Sequence, residues 1–296
     1  MELRHIRYFV AVAEELSFRR AAERLHLAQP PLSAQIQSLE NELGVRLFER
    51  TTRSVTLTHA GSVFLQECRV VLAASAEAER RAKEADQGVI GMLRLGVIAP
   101  AANAWLAGNL RTFRQKFPGV QLSVFDLTSP EQLRRLRTNE LDAGLLRPPV
   151  GSPDLESIFV EESEQVLALP AGHRLARKRR LEWRDFHNEE LVLIHPNAQH
   201  GYYDPFFAAC AKVGARPKTT QYAHDIQTKM WLISAGFGIA PATATLAKVK
   251  RPGLIFRRLP SGLPAVQTVL VWRSNDTSPV LAHFRECFQP LSTARL

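Results

Sequence analysis

Gln29, Ser33, Ala34 and Gln35 form a run of small or uncharged hydrogen-bonding side chains around the pair Pro30-Pro31. Amides and hydroxyls read the edges of base pairs, and a small apolar side chain such as Ala34 packs against a thymine methyl. Guanidinium groups flank the run, with Arg19, Arg20 and Arg24 before it and Arg46, Arg50 and Arg53 after it. Such charges hold phosphates and supply affinity, while the uncharged groups supply sequence preference. The chemistry of this grouping is recognition of a DNA groove, with no bond made or broken.

Those side chains reach a groove only if they sit at the exposed start of a helix held by neighbouring helices. The sequence provides this arrangement. Residues 2–14 place Leu3, Ile6, Phe9, Val10 and Ala13 on one helical face. Ser17 is a good N-cap for a short helix carrying Ala21, Ala22 and Leu25. Pro30 and Pro31 suit the first turn of the next helix, whose apolar stripe is Leu32, Ile36, Leu39 and Leu43, and Gly44 ends it. A helical hairpin within a larger bundle would explain the spacing, but not the shortage of Lys and Glu on the remaining face. Leu47-Phe48 and Val55-Leu57 then bracket the turn from Thr51 to Ser54, which predicts a two-stranded wing with Arg53 at its tip and Arg50 close by. The expected unit is a winged helix-turn-helix over residues 1–58.

Thr58 caps a long helix predicted to run to about Gln87. Phe64, Cys68, Val71, Ser75, Ala78, Ala82 and Ala85 recur at spacings of four and three along it. This heptad seam predicts a linker over residues 59–88 that pairs two chains, because nothing compact in residues 1–58 is left to receive so long a seam. From residue 89 the pattern changes to alternating strands and helices, including "MLRLGVIA", "VQLSVFDLT", "LDAGLLR", "LVLIHP", "GIAPAT" and "TVLVWR". Two successive α/β units predict two open sheets with a cleft between them. Lobe I is expected at about 89–162 and 266–296, and lobe II at about 163–265.

Composition narrows the function classes. Hydrophobic residues make up 45% of the 296 and charged residues 23%, which describes a chain able to bury a sizeable core. The opening "MELRHIRYFVAVAEEL" lacks the apolar run of a signal peptide, and no 18-residue apolar stretch occurs, so the expectation is a cytoplasmic protein without a membrane partner. Cys68, Cys210 and Cys287 are too far apart to suggest a metal site or a local redox pair. The net charge is +9, yet residues 1–58 hold eight arginines against seven acids, while 89–296 hold 26 bases against 17 acids. The excess therefore does not locate the DNA site, and the run "RLARKRR" from Arg174 to Arg180 reads as a solvated loop and helix edge.

The stretch from Leu3 to Gly61, "LRHIRYFVAVAEELSFRRAAERLHLAQPPLSAQIQSLENELGVRLFERTTRSVTLTHAG", closely resembles the DNA-binding domain of the LysR-type transcriptional regulators. "RLGV", "LDAGLLR" and "AGFGIAP" resemble that family's effector domain more loosely, and "QPPLS" with the opening residues most resembles the branch that controls degradation of aromatic compounds. The resemblance implies a mixed α/β protein: an N-terminal winged helix-turn-helix, a long linker helix and a two-lobed effector domain of periplasmic-binding-protein type. It implies DNA contacts through Gln29, Pro30, Pro31, Ser33, Ala34 and Arg53, with Ala34 standing where the family often has Arg, and the placement of Arg19, Gln35 and Arg50 adds those three as expected contacts. It implies homodimers through the linker helix, tetramers through the effector domains, and an activator with RNA polymerase as a partner. It also implies an inducer, expected to be a small organic anion, near Ala99, Pro100, Asn103, Thr128, Ser129, His195, Asn197, Tyr202, His224 and Asp225. Pro100 replaces a Ser of the aromatic-responsive members, which removes a hydroxyl and an N–H.

Two alternatives draw on the two-lobed region alone. An enzyme could use His195, His200, His224, Asp225 and Tyr222, but no HExxH, GxSxG or P-loop pattern is present, and "GFGIAP" lacks the rest of a dinucleotide fingerprint. A solute-binding protein would need an export signal and would have no use for residues 1–58. A regulator with neither metal nor cofactor is the expectation.

Overall fold

The computed structural model describes residues 1–51, 54–195 and 201–288. The chain divides into two compact units, Met1–Glu84 and Ala85–Leu296.

In the first unit, helices α1 (Leu3–Glu15), α2 (Phe18–Arg24) and α3 (Gln29–Leu43) precede a hairpin of β1 (Phe48–Arg50) and β2 (Val55–Leu57). Helix α4 (His59–Asp86) follows. The joins are locally encoded. Ser17 accepts the Arg20 N–H at the start of α2, and Gly44 closes α3 in the left-handed region at φ 71°. Thr58 accepts the Gly61 N–H at 2.8 Å and donates to the carbonyl of Arg46 at the same distance. Gly61 is required by close approach, since a Cβ there would lie 2.0 Å from the Leu47 carbonyl oxygen.

Phe9, Leu32, Ile36, Leu39, Leu47 and Phe48 form the core of this unit. The ring of Phe9 packs against Phe48 at 5.3 Å and against Phe64 of α4 at 4.9 Å. This corrects the expected seam at its first two positions. Phe64 and the buried Cys68 cover the unit's own core, assisted by the partly buried Leu65 and Leu72. The core of residues 1–58 does have an open side, and the first turns of α4 close it. Val63 and Val70 are exposed on an adjacent face of α4, while Val71, in line with Phe64 and Cys68, is exposed beyond the core, as are Ala78 and Ala82 further along, and Ser75 is half-buried.

The second unit holds β3 (Ile90–Val97), α5 (Ala104–Lys116), β4 (Gly119–Asp126), α6 (Ser129–Arg137), β5 (Ala143–Leu146), β6 (Leu155–Ser163) and β7 (Gln165–Pro170). It continues through β8 (Glu190–Ile194), α7 (Asp204–Lys212), β9 (Lys218–Ala223), α8 (Ile226–Ser234), β10 (Ala240–Thr243) and α9 (Ala244–Ala247), and ends with β11 (Leu254–Arg258), β12 (Val266–Arg273) and α10 (Pro279–Cys287). Lobe I is a five-stranded sheet of order β4-β3-β5-β12-β6. Its parallel strands β3, β4 and β5 direct their C-terminal ends to one edge. In lobe II, β7 lies between β10 and β11, β8 pairs with β9, and a bridge from Leu191 to Ile239 links the two groups. Separate cores fill the lobes, one around Leu95, Leu145 and Phe284, the other around Leu167, Phe186 and Phe206. Glu164 alone separates β6 from β7, and residues 259–265 carry the chain back into β12. These two short crossings join the lobes.

Candidate DNA interface and effector cleft

At the start of α3 the cap position, Ala28, makes no side-chain bond, and of the first three helical residues only Gln29 has an N–H. Gln29, Pro30, Pro31 and Ala34 are exposed and Ser33 is half-buried, while Leu32, Ile36 and Leu39 are buried and fix the rotation of the helix. Arg19 on α2 is open to solvent and holds Glu23 only loosely, at 3.6 Å. Acids that would repel phosphate are engaged elsewhere. Glu14 bonds Arg24 at 2.9 Å and Arg69 at 3.1 Å, which lowers its pKa, and Glu15 pairs with Arg20.

Two expected contacts are committed inside the unit. The Gln35 carbonyl oxygen lies 2.8 Å from the His5 ring nitrogen, so Gln35 ties α3 to α1. Arg50 bonds Glu40 at 2.7 Å, and its guanidinium lies 4.8 Å from the centre of the Phe18 ring. Glu40 also accepts the N–H groups of Leu47 at 2.8 Å and Phe48 at 3.1 Å. It thereby clamps the wing to α3. Arg53 falls outside the described residues.

Between the lobes of the second unit lies a cleft of about 930 Å³. Ala99, Pro100, Thr128, Ser129, Tyr202, His224 and Asp225 are all in its wall. Asn103 is not; its side chain caps α5 and donates to the Glu161 carboxylate at 3.1 Å. The exposed His195 is also absent from the wall, and its ring leans on Tyr222 with 5.5 Å between centroids. Asn197 falls outside the described residues. Thr128 makes no side-chain cap bond, and the Ser129 hydroxyl accepts the Arg147 N–H at 3.1 Å. Neither side chain caps α6.

Arg147, at the end of β5, is the cleft's principal charge and was missed by sequence reasoning. Its guanidinium lies 4.2 Å from the centre of the Tyr202 ring, and among the described residues its Nη1 is buried without a hydrogen-bond partner. Gln165 at the lobe crossing donates to the Pro264 carbonyl at 3.1 Å and leaves its own carbonyl oxygen buried and unpartnered. Behind the wall, Lys229 of α8 is fully buried, 3.2 Å from the Pro241 carbonyl and 3.4 Å from the Tyr203 hydroxyl. Burial first, and the charge of Arg147 second, pull its pKa down to about 7. Asp126 of lobe I has a raised pKa, through burial and then through repulsion by Asp225 of lobe II. Signals for the missed residues exist. Arg147 ends the apolar "LDAGLLR" just before two prolines, and Lys229 is the one charge within "IQTKMWLIS".

Among the described residues no helix is long and apolar enough to cross a membrane, and no group of His, Cys, Asp or Glu is placed to hold a metal. Residues 3–62 match the family described as bacterial regulatory helix-turn-helix protein, lysR family, and residues 86–292 match the LysR substrate binding domain. The chain is 35% identical to the HTH-type transcriptional regulator AlsR of Bacillus subtilis (strain 168), over 96% of this chain and 94% of that one. It is 33% identical to the Hca operon transcriptional activator HcaR of Escherichia coli (strain K12), over 96% of each. Full-length CbnR, solved in complex with its target DNA, superimposes with a TM-score of 0.80 at 28% identity and covers 97% of this chain and 98% of its own. The exposed helix start, the wing behind it and the two-lobed cleft are thus the parts of one known plan, and the chain belongs to the LysR family of DNA-binding transcriptional regulators.

Proposed function

We propose that this regulator binds DNA through the start of α3 and the wing, and that a small organic anion in the cleft sets its effect on transcription. The buried, unpartnered Nη1 of Arg147 carries this reading. A guanidinium held against the Tyr202 ring puts a fixed positive charge in the wall of the open cavity. A carboxylate supplies the missing acceptor and the countercharge together. The Ser129 hydroxyl, which accepts from the Arg147 backbone, has its own proton to donate to the same ligand. Ile98, Pro100, Leu133 and Tyr202 give the cleft apolar walls that suit an aromatic carboxylate.

In this reading the protein is a cytoplasmic regulator with no catalytic step and no cofactor. It pairs through the exposed valines of α4, and Trp231, 72% exposed on α8, supports a further contact that builds a tetramer. The name of HcaR, an operon transcriptional activator, supports activation as the outcome. The ligand acts by binding two lobe arrangements unequally.

Calorimetry on the full chain with benzoate, succinate and their neutral amides tests the ligand class. Binding of an acid but not of its amide is the expected result. Arg147→Met should weaken that binding at least tenfold, and Ser129→Val should weaken it less. Equal binding of acid and amide, or no loss in Arg147→Met, overturns the anion reading. Sequencing of DNA fragments retained by the purified protein reads the operator directly.

A further inference from the structure

Tyr203 and Lys229 form a hydrogen-bond chain whose direction depends on the charge of the lysine. The Tyr203 oxygen accepts the Ile194 N–H at 3.1 Å. Lys229 Nζ lies 3.4 Å from the same oxygen, placed to donate to it as an ammonium or to accept the phenol proton as a neutral amine. A neutral amine accepts that proton while donating to the Pro241 carbonyl at 3.2 Å. An ammonium has three donors and no acceptor, so it leaves the buried phenol proton without this partner. The charged and titratable surroundings of Lys229 agree. Arg147 faces it from the end of β5, and Tyr202 and Tyr203 from the segment before α7. One turn earlier on its own helix, Asp225 is occupied in accepting the Thr228 N–H and hydroxyl at 2.8 and 2.7 Å. Strand β10 offers only the Pro241 carbonyl.

Resting on the anion reading above, we infer that, above neutral pH, Lys229 is mainly a neutral amine in the empty cleft and takes up one proton from solvent when an anion binds at Arg147. The anion cancels the guanidinium charge that opposes an ammonium on the other side of the Tyr202-Tyr203 pair. Protonation then reverses the Tyr203–Lys229 bond, with nitrogen donating to oxygen. The lowered pKa of about 7 in the empty cleft places this step within the physiological range. Anion affinity is consequently linked to pH: it is high where Lys229 is already protonated and falls as the pH rises above 7, by at most tenfold per pH unit.

The test is calorimetry of benzoate, which stays ionised throughout, on the full chain between pH 6 and pH 8.5. At each pH the titration is run in two buffers that hold that pH and differ in ionisation heat, which reports proton transfer. Uptake of nearly one proton per anion at pH 8, falling towards zero at pH 6, is expected, with at least fivefold weaker binding at pH 8.5 than at pH 6.5. In Lys229→Met both the uptake and the pH dependence should vanish. Acid-selective binding with no proton uptake and a flat pH profile in the wild type overturns the coupling and leaves the anion reading intact. Equal binding of the neutral amides overturns the anion reading, and the coupling with it.

Discussion

Gln29 and Gln35 are the same residue type, six positions apart on α3, and the structure places them differently. Gln29 stands exposed beside two prolines, whereas Gln35 is turned inward onto His5. Replacing Gln29 with Ala should cost about 1–3 kcal/mol on the best operator and relax preference at one base pair. Arg19→Ala should weaken all sequences alike and reduce the salt slope by about one. Binding assays on randomised operators at several salt concentrations separate the two effects, and an unchanged preference in Gln29→Ala would displace that residue from the groove. The sequence pattern places both glutamines on a polar face but cannot rank them. The ranking depends on His5, which lies 30 residues away in the chain and 2.8 Å away in space. Arg50 shows the same limit, since its charge is legible and its partners Glu40 and Phe18 are not.

At the scale of the element, α4 has two apolar faces where the periodicity suggests one. Phe64 and Cys68 belong to the core of the first unit, while Val63 and Val70 face outward on the adjacent face. Phe64→Ala should therefore destabilise that unit by about 3 kcal/mol, the low end for losing a packed ring, because Phe64 is only partly buried. Val70→Asp should leave its melting unchanged and dissociate the dimer. Thermal unfolding and sedimentation on both variants decide the matter, and loss of the dimer in Phe64→Ala without loss of stability would return that residue to the interface. A spacing of four and three marks a helical face without stating whose core it meets. Strands β6, β7 and β11 escaped the sequence reading for a related reason. "LESIFVEES" in β6 mixes acids with apolar residues, and only the neighbouring β12 turns it into a paired strand.

At the scale of the whole molecule, the cleft brings like charges close: Asp126 of lobe I and Asp225 of lobe II repel each other across it. An acid whose folded pKa is raised favours the folded state when protonated and opposes it once ionised. Asp126→Asn should thus raise the melting temperature at pH 7.5, and the gain should shrink as the pH is lowered towards 4.5. A gain that is the same at both pH values would assign the effect to packing rather than to charge.

The order of parts was written locally. The capping Ser17 and Thr58, the prolines and glycine that bound α3, and the apolar stripes specify a winged helix-turn-helix, a long helix and alternating α/β units, because caps, turns and periodicity act within a few residues of the chain. The cleft was not written locally. Its charge comes from Arg147 at the end of one strand, its aromatic support from Tyr202, and its buried amine from Lys229 on a helix of the other lobe. Electrostatic coupling and burial depend on distance in space, and only the packing of two lobes across two short crossings brings those residues within range of one another.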